Sequence, residues 1–382
     1  MHHHNSVFHQ LLKQVPWARF DRLVEEHGAD FRVRRLSTKS QFVALLYGQL
    51  SKAEGLREIE AGLLSHRSRL YHLGVDPVCR STLADANAKR PAEVFCEVLA
   101  VLMAKAHRGL RRALADTTYL IDSTPLKLDQ RSANWARFSA NVCGAKVHVV
   151  YDPDADQPIY AAVSEARVND ITAAKAMPIE PGATYVFDLG YYDYRWWAEL
   201  SENGCRIVTR FKKNTPLHLI EELAVAKDGS ILSDRIGFLP SRQAQNRQNP
   251  MADAVREVRV KTQTGKVLRI LCNDLDAGAQ EIADLYKRRW AIELFFRWIK
   301  QTLKIRHFLG TSRNAVRIQI AVALIGFLLL RLAQTAQKAV QSPLAFARLV
   351  RANLMHRRRL DRLLQAQPDD PQTGNQLSLQ WL

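Results

Sequence analysis

The chain has 382 residues, 47% of them hydrophobic, with 55 Lys and Arg against 38 Asp and Glu and a formal net charge of +17 at pH 7. That apolar content excludes a disordered chain and is enough for the cores of two or three domains. The excess of cations points to a polyanionic partner, nucleic acid first, because neutralised phosphates supply salt-dependent affinity. The five cysteines, at 79, 96, 143, 205 and 272, contain no Cys-x-x-Cys pair and no metal-ligand spacing, which fits a reducing cytoplasm. No secretory signal stands at the start, and His2, His3 and His4 are set aside from the fold reasoning. The apolar run Ile318 to Leu330 is thirteen residues long, holds Gln319 and Gly326, and is shorter than a bilayer-spanning helix requires. No membrane is expected as a partner.

Residues 1–115 read as an all-α region. Ser6 to Val15 and Phe20 to His27 are short helical patterns. Ser37 to Ser65 is a longer one, with Phe42, Leu45, Leu46, Leu50, Leu56 and Ile59 as its buried face. Gly74 and Pro77 mark a turn, and a second short helix begins near Arg80, giving a helix-turn-helix outline. In that reading Arg80, Ser81, Thr82, Asn87, Lys89 and Arg90 are presented to a DNA groove; the alternative is plain helical packing. A further apolar helix runs from Ala92 to Ala106.

Over residues 116–212 the period changes. Thr118 to Leu128, Val142 to Tyr151 and Pro158 to Ser164 read as successive strands, the last two joined by the turn signal DPDADQ. A helix at Ile171 to Met177, a short strand at Thr184 to Phe187, a helix at Asp193 to Asn203 and a strand at Cys205 to Phe211 follow, so the order is β-β-β-α-β-α-β and the class α/β. Asp122 and Asp188 stand where strand interiors are normally apolar, after Tyr-Leu-Ile and Tyr-Val-Phe. A buried carboxylate without a counter-charge is costly. Each is either a hydrogen-bonded turn or cap residue or a ligand of a divalent cation, for which Mg²⁺ favours such hard oxygens together with substrate phosphates. Arg210, Lys212 and Lys213 follow the last strand, either as phosphate contacts or as an ordinary solvated loop.

Within residues 213–280, the stretch VREVRVKTQTGKVLRILCN reads as a hairpin around Thr264 and Gly265. From Tyr286 to Lys304 the pattern predicts one amphipathic helix whose apolar stripe holds Leu285, Ile292, Phe295, Phe296, Ile299 and Leu303. With Tyr286 at zero, Arg289, Glu293 and Lys300 fall at about 300°, 340° and 320°, so one carboxylate lies among cations on a single edge, which Arg297 and Lys304 join. Between Tyr286 and Leu360 there are sixteen Lys and Arg and one acid, Glu293. That acid is either a partner of Arg289 or Lys300 on the helix surface or part of a larger constellation. Residues 311–382 form a helical C-terminal region with the basic run RRRLDR at 357–362, followed from Gln365 by a Pro-, Gln- and Asp-rich end.

These residues together resemble the DDE transposases of bacterial insertion sequences, and among them the insertion sequence 4 family. Tyr286, Arg289, Glu293 and Lys300 meet the signature Tyr-x2-Arg-x3-Glu-x6-Lys without a gap, and Asp122 in YLIDST and Asp188 in VFDLGYYD stand where the family has its first two acids. The resemblance implies a ribonuclease H-like, retroviral integrase-like core made of residues 116–212 and 281–310, interrupted by the β-rich insertion and preceded by a helical DNA-binding domain. It further implies that Asp122, Asp188 and Glu293 converge on two Mg²⁺ or Mn²⁺ ions to cut DNA at element ends and join them to target DNA. Tyr286, Arg289 and Lys300 would grip phosphates. It also implies terminal inverted repeats as substrate, a homodimer on DNA, and a bacterial cytoplasmic, nucleoid-associated location. Some relatives carry a base-stacking Trp in the insertion, whereas residues 213–289 here have none, leaving Trp290 and Trp298 as the nearest substitutes. A nuclease without strand transfer and a non-catalytic DNA-binding derivative remain alternatives, the intact acids weighing against the second.

Overall fold

The computed structural model describes residues 5–110, 117–226, 229–244, 247–302, 308–337 and 339–365. The N-terminal part is helical: α1 (Val7–Leu12), α2 (Trp17–Glu26), α3 (Thr38–Ser51), α4 (Leu56–Ser65), α5 (Arg67–Leu73), α6 (Arg80–Lys89) and α7 (Glu93–Leu110). Local chemistry sets these boundaries. The Ser40 amide donates to Ser37 Oγ at 3.1 Å to cap α3, and Gly74, at φ 66°, closes α5 in the left-handed region that costs glycine least.

The rest of the fold is built on one mixed sheet. Its strands are β1 (Thr118–Leu128), β2 (Arg137–Ser139), β3 (Val142–Asp152), β4 (Gln157–Glu165), β5 (Thr184–Phe187) and β6 (Arg206–Arg210), then β7 (His218–Leu223), β8 (Ile231–Phe238), β11 (Val255–Lys261) and β12 (Val267–Cys272). The short β9 (Arg242–Ala244) and β10 (Arg247–Gln248) pair separately. Helices α8 (Ala133–Ala136), α9 (Asp170–Ala174) and α10 (Tyr194–Glu202) interrupt the early strands, and α11 (Ala279–Arg288), α12 (Trp290–Thr302), α13 (Arg313–Thr335) and α14 (Pro343–Ala352) follow the late ones. The strand order is β2-β3-β1-β5-β6-β12-β11-β8-β7, with β4 also on β3. β1 runs antiparallel to β3 and parallel to β5, and β5 parallel to β6. The β-rich segment continues this same sheet through antiparallel pairing of β12 with β6.

Alternation along the strands gives the sheet two buried faces. Leu120, Leu126, Val147, Val149, Val186 and Val208 point to one side, into a hydrophobic cluster shared with α12, α13, α14 and the N-terminal helices. Tyr119, Ile121, Tyr185, Phe187 and Ile207 point to the other, where Tyr191, Tyr194, Trp196 and Trp197 cover them.

α13 has 23 residues and by length and composition suffices to cross a membrane, which the thirteen-residue apolar run did not suggest. It is mostly buried here and packs against α3, α6, α7 and α14. The flanking charges that shortened the apparent run are paired inside the fold: Arg317 with Glu93 at 2.7 Å and Arg331 with Asp156 at 3.1 Å.

The single helix expected from Tyr286 onward is divided at Arg289. The Arg289 amide donates to Tyr286 O at 3.1 Å and its carbonyl accepts from the Ile292 amide at 3.2 Å, so a tighter i,i+3 turn joins α11 to α12. Tyr286 is consequently buried rather than on an open polar edge.

Candidate active site

Strand register brings the first two acids together. In the parallel pair β1–β5, Ile121 lies beside Phe187, so Asp122 and Asp188 are the next residues on two neighbouring strands running the same way. Backbone amides orient both carboxylates: Ser123 N–H donates to Asp122 Oδ1 and Gly190 N–H to Asp188 Oδ1, each at 2.8 Å. Asp188 thereby caps the short turn Leu189–Tyr191, as the cap alternative anticipated, and it does so beside Asp122.

Glu293 approaches from the first turn of α12 through Arg289. That guanidinium donates to Glu293 Oε1 at 2.5 Å and to Asp122 Oδ2 at 3.3 Å. Glu293 thus pairs with Arg289 at i,i+4 spacing, and the same arginine also meets Asp122.

The electrostatics carry the mark of crowded acids. Burial pushes the Asp122 carboxyl up to about 6; the charges of Asp188 and Glu293 push the same way, against the Ser123 amide and Arg289. Burial works to lower the Arg289 pKa, but Tyr286, Glu293 and Asp122 outweigh it and hold the guanidinium above its ordinary value. Burial also raises the Tyr286 phenol, which lies beneath Arg289 with 5.9 Å from guanidinium to ring centre, and Asp188 raises it further against Arg289 and Arg210.

Three hard carboxylates suit Mg²⁺ or Mn²⁺ in donor type. Among the described residues no three acids, histidines or cysteines converge as a metal cage, and Glu293 is paired with Arg289. Asp122 and Asp188 by themselves offer oxygens of the type a hard divalent cation takes, and Glu293 can add a third once that guanidinium is drawn off.

The other expected contacts divide. Lys300 is half-buried and lines an apolar cleft with Thr124, two residues beyond Asp122 on β1. Arg210 lies close enough to Tyr286 to influence its phenol, and its Nε is buried without a hydrogen-bond partner. Lys212 and Lys213 are exposed, yet their loop is anchored: Arg269 donates to both carbonyls at 3.1 and 3.0 Å, and the Lys212 ammonium lies 4.2 Å from the Tyr192 ring centre. Arg297 is exposed on α12, 5.9 Å from the ring centre of Trp290, which is also exposed. Trp298 instead packs edge-on against Phe327 at 5.0 Å in the core. Lys304 lies outside the described residues.

In the N-terminal region Arg80, Ser81, Thr82 and Lys89 are exposed on α6. Asn87 and Arg90 are not available to a groove. Gln41 Nε2 donates to Asn87 Oδ1 at 2.8 Å, and Arg90 donates to Gln41 Oε1 at 3.0 Å, because these polar groups tie α6 onto the buried α3.

One acid beside this site escaped the reading of the sequence. Asp170, the first residue of α9, accepts from Ser123 Oγ at 2.7 Å and from Lys146 Nζ at 3.1 Å. In the sequence it follows Asn169 at a helix start, where an acid is ordinary.

With this geometry in view, comparison with known proteins gives the class. Residues 114–329, more than half the chain, match the family described as Transposase DDE domain. The chain belongs to the DDE transposases. Residues 3–76 match a second family, described as a domain of unknown function (DUF4372). The chain is 40% identical over 293 residues to y4zB of Sinorhizobium fredii (strain NBRC 101917 / NGR234), a protein named as a transposase, covering 76% of this chain and 81% of that one. It is 28% identical over 282 residues to a protein of Geobacillus stearothermophilus named as a transposase for insertion sequence element IS5377, covering 71% and 72%. A solved piggyBac transposase synaptic complex with hairpin DNA is a distant likeness, at 12% identity and a TM-score of 0.45 over 96% of this chain and 81% of that one.

Proposed function

We propose that the chain cuts DNA at the ends of an insertion sequence and joins those ends to target DNA, with Asp122, Asp188 and Glu293 holding two divalent cations, Mg²⁺ or Mn²⁺. The observation that carries this reading is the adjacency of Asp122 and Asp188 across the parallel β1–β5 pair, with Glu293 tied to Asp122 by Arg289. The sheet supports a ribonuclease H-like core: its order β4-β3-β1-β5-β6, antiparallel then parallel, has the acids at neighbouring strand ends. The gap-free Tyr286, Arg289, Glu293, Lys300 spacing supports placement in the insertion sequence 4 family.

When bound, a pair of such cations activates an attacking oxygen and stabilises a leaving one in line with it. The protein's own groups do the rest. Asp122 and Asp188 offer oxygens oriented by backbone amides, so little reorganisation is needed at the strands. Arg289 pairs with Asp122 and Glu293 in the free protein, and an incoming phosphate competes for the same guanidinium. Tyr286, fixed below it, and Lys300, beside Thr124, complete a phosphate grip, with Arg210, Lys212, Lys213, Arg297 and Lys304 as further DNA contacts. Water is the first nucleophile and the freed 3′-hydroxyl the second. Residues 1–115, with Arg80 exposed on α6, serve as the DNA-binding domain in this reading, and a homodimer at the nucleoid binds the terminal inverted repeats.

The test is nicking of supercoiled, end-bearing DNA with Mg²⁺. Asp122→Ala, Asp188→Ala and Glu293→Ala each abolish nicking while DNA binding is retained; cleavage by Glu293→Ala at the wild-type rate refutes the three-acid site. Assay for joined target product separates a transposase from a nuclease.

A further inference from the structure

Asp170 is the structural link between the two strand-borne aspartates. On one side its Oδ1 accepts from Ser123 Oγ at 2.7 Å, and Ser123 is the residue whose amide orients Asp122. On the other side it abuts the turn that orients Asp188. A Cβ on Gly190 would stand 3.0 Å from Asp188 Oδ1 and 3.2 Å from Asp170 Oδ2, so the glycine α-carbon is wedged between the two carboxylates. An added Cβ there would make one of the two carboxylates give by a few tenths of an ångström.

Asp170 is itself fixed from β3. Lys146 Nζ reaches Asp170 Oδ1 at 3.1 Å and the Val168 carbonyl at 3.0 Å, holding the segment that carries the acid. The buried His148 presents Nδ1 at 3.8 Å from the same oxygen, while its Nε2 meets Ser164 Oγ at 2.7 Å. Antiparallel register puts Ser123 opposite His148 and Pro125 opposite Lys146, so the whole support lies across the sheet from Asp122. One carboxylate thus joins β1, β3, α9 and the Asp188 turn.

We propose that Asp170 is a positioning residue that holds Asp122 and Asp188 at their mutual spacing for divalent-cation binding, an inference that rests on the reading under Proposed function. It touches neither cation nor DNA. Its effect is on how well the two strand-borne acids are presented, so it acts on metal affinity first.

The experiment is titration of the DNA-free full chain with Mn²⁺, followed by electron paramagnetic resonance. Asp170→Ala weakens Mn²⁺ binding about tenfold, the size seen when an outer support of a metal ligand is removed. Asp170→Asn keeps an oxygen for Ser123 and recovers most of the loss. In nicking assays the Mn²⁺ concentration for half-maximal rate rises by the same factor, while the rate at saturating Mn²⁺ falls less. Should Asp170→Ala not fold, Ser123→Ala, which cuts only the link to β1, carries the test and shows a smaller loss of the same kind. Wild-type Mn²⁺ affinity in folded Asp170→Ala, beside lost affinity in Asp122→Asn, overturns this inference alone; wild-type affinity in both overturns the metal reading beneath it.

Discussion

Arg256 and Arg289 both sit among acids, and they do opposite things. Arg256 on β11 pairs with Asp234 on β8 through two hydrogen bonds, at 2.8 and 2.6 Å, and donates to the Leu275 and Ala277 carbonyls as well. One cation meets one acid, both buried, and every contact is made. Arg289 instead serves Asp122 and Glu293 together, and burial, with the charges of Asp188 and Glu293 adding to it, leaves Asp122 pushed up to about 6 despite that arginine. A closed pair of the first kind fixes the join between β8, β11 and the chain leading to α11. In the reading proposed above, an arrangement of the second kind keeps surplus negative charge for another cation.

Breaking the closed pair should give the largest stability change. Arg256→Ala strands Asp234 and two carbonyls in the interior and is expected to cost about 3–5 kcal/mol in urea denaturation. A loss below 1 kcal/mol would mean water reaches Asp234 and the contrast with Arg289 is weaker than drawn.

The poised site should respond with the opposite sign. Asp122 has a folded pKa of about 6 against a reference of 3.8, so it contributes stability that is complete below about 3.8 and lost as pH rises through about 6. Asp122→Asn should therefore stabilise the chelated, metal-free protein at pH 8 by about 2–3 kcal/mol, while abolishing nicking. Denaturation from pH 4.5 to 8 in EDTA checks this: the mutant should lose the decline that the wild type shows near pH 6. An identical pH profile would show that Asp122 is better solvated than its burial implies.

The smallest effect belongs to binding. Arg289→Ala should reduce the slope of log affinity against log salt by about one for end-bearing DNA, and the exposed Arg297→Ala by no more than that. An unchanged slope for Arg289→Ala would confine this arginine to the acids and remove it from the phosphate grip.

What was legible in the sequence follows from where each residue departs from its local expectation. Asp122 and Asp188 stood out because a carboxylate ends an apolar strand pattern, and Glu293 because sixteen cations surround it. Their convergence came only from the family resemblance and not from the local pattern, since it depends on β1 lying beside β5 as well as beside β3. The division at Arg289 left no trace either: i,i+3 and i,i+4 turns share one apolar stripe over so short a stretch. Asn87 and Arg90 read as groove contacts because polar residues on a short helix look solvent-facing, and only the burial of Gln41 on α3 reverses that. Asp170 conformed to expectation at a helix start, so nothing marked it.

The hydrophobic cluster on one side of the sheet runs without interruption from α1 through α13 to α14. The N-terminal helices are therefore not a detachable attachment to the core that carries the candidate site. Removing them would leave a 23-residue apolar helix, α13, facing water along the side that α3, α6 and α7 now cover. Such a truncation should aggregate or seek a bilayer before it can report on activity, so whether the first hundred residues bind DNA is better asked by surface substitution than by deletion.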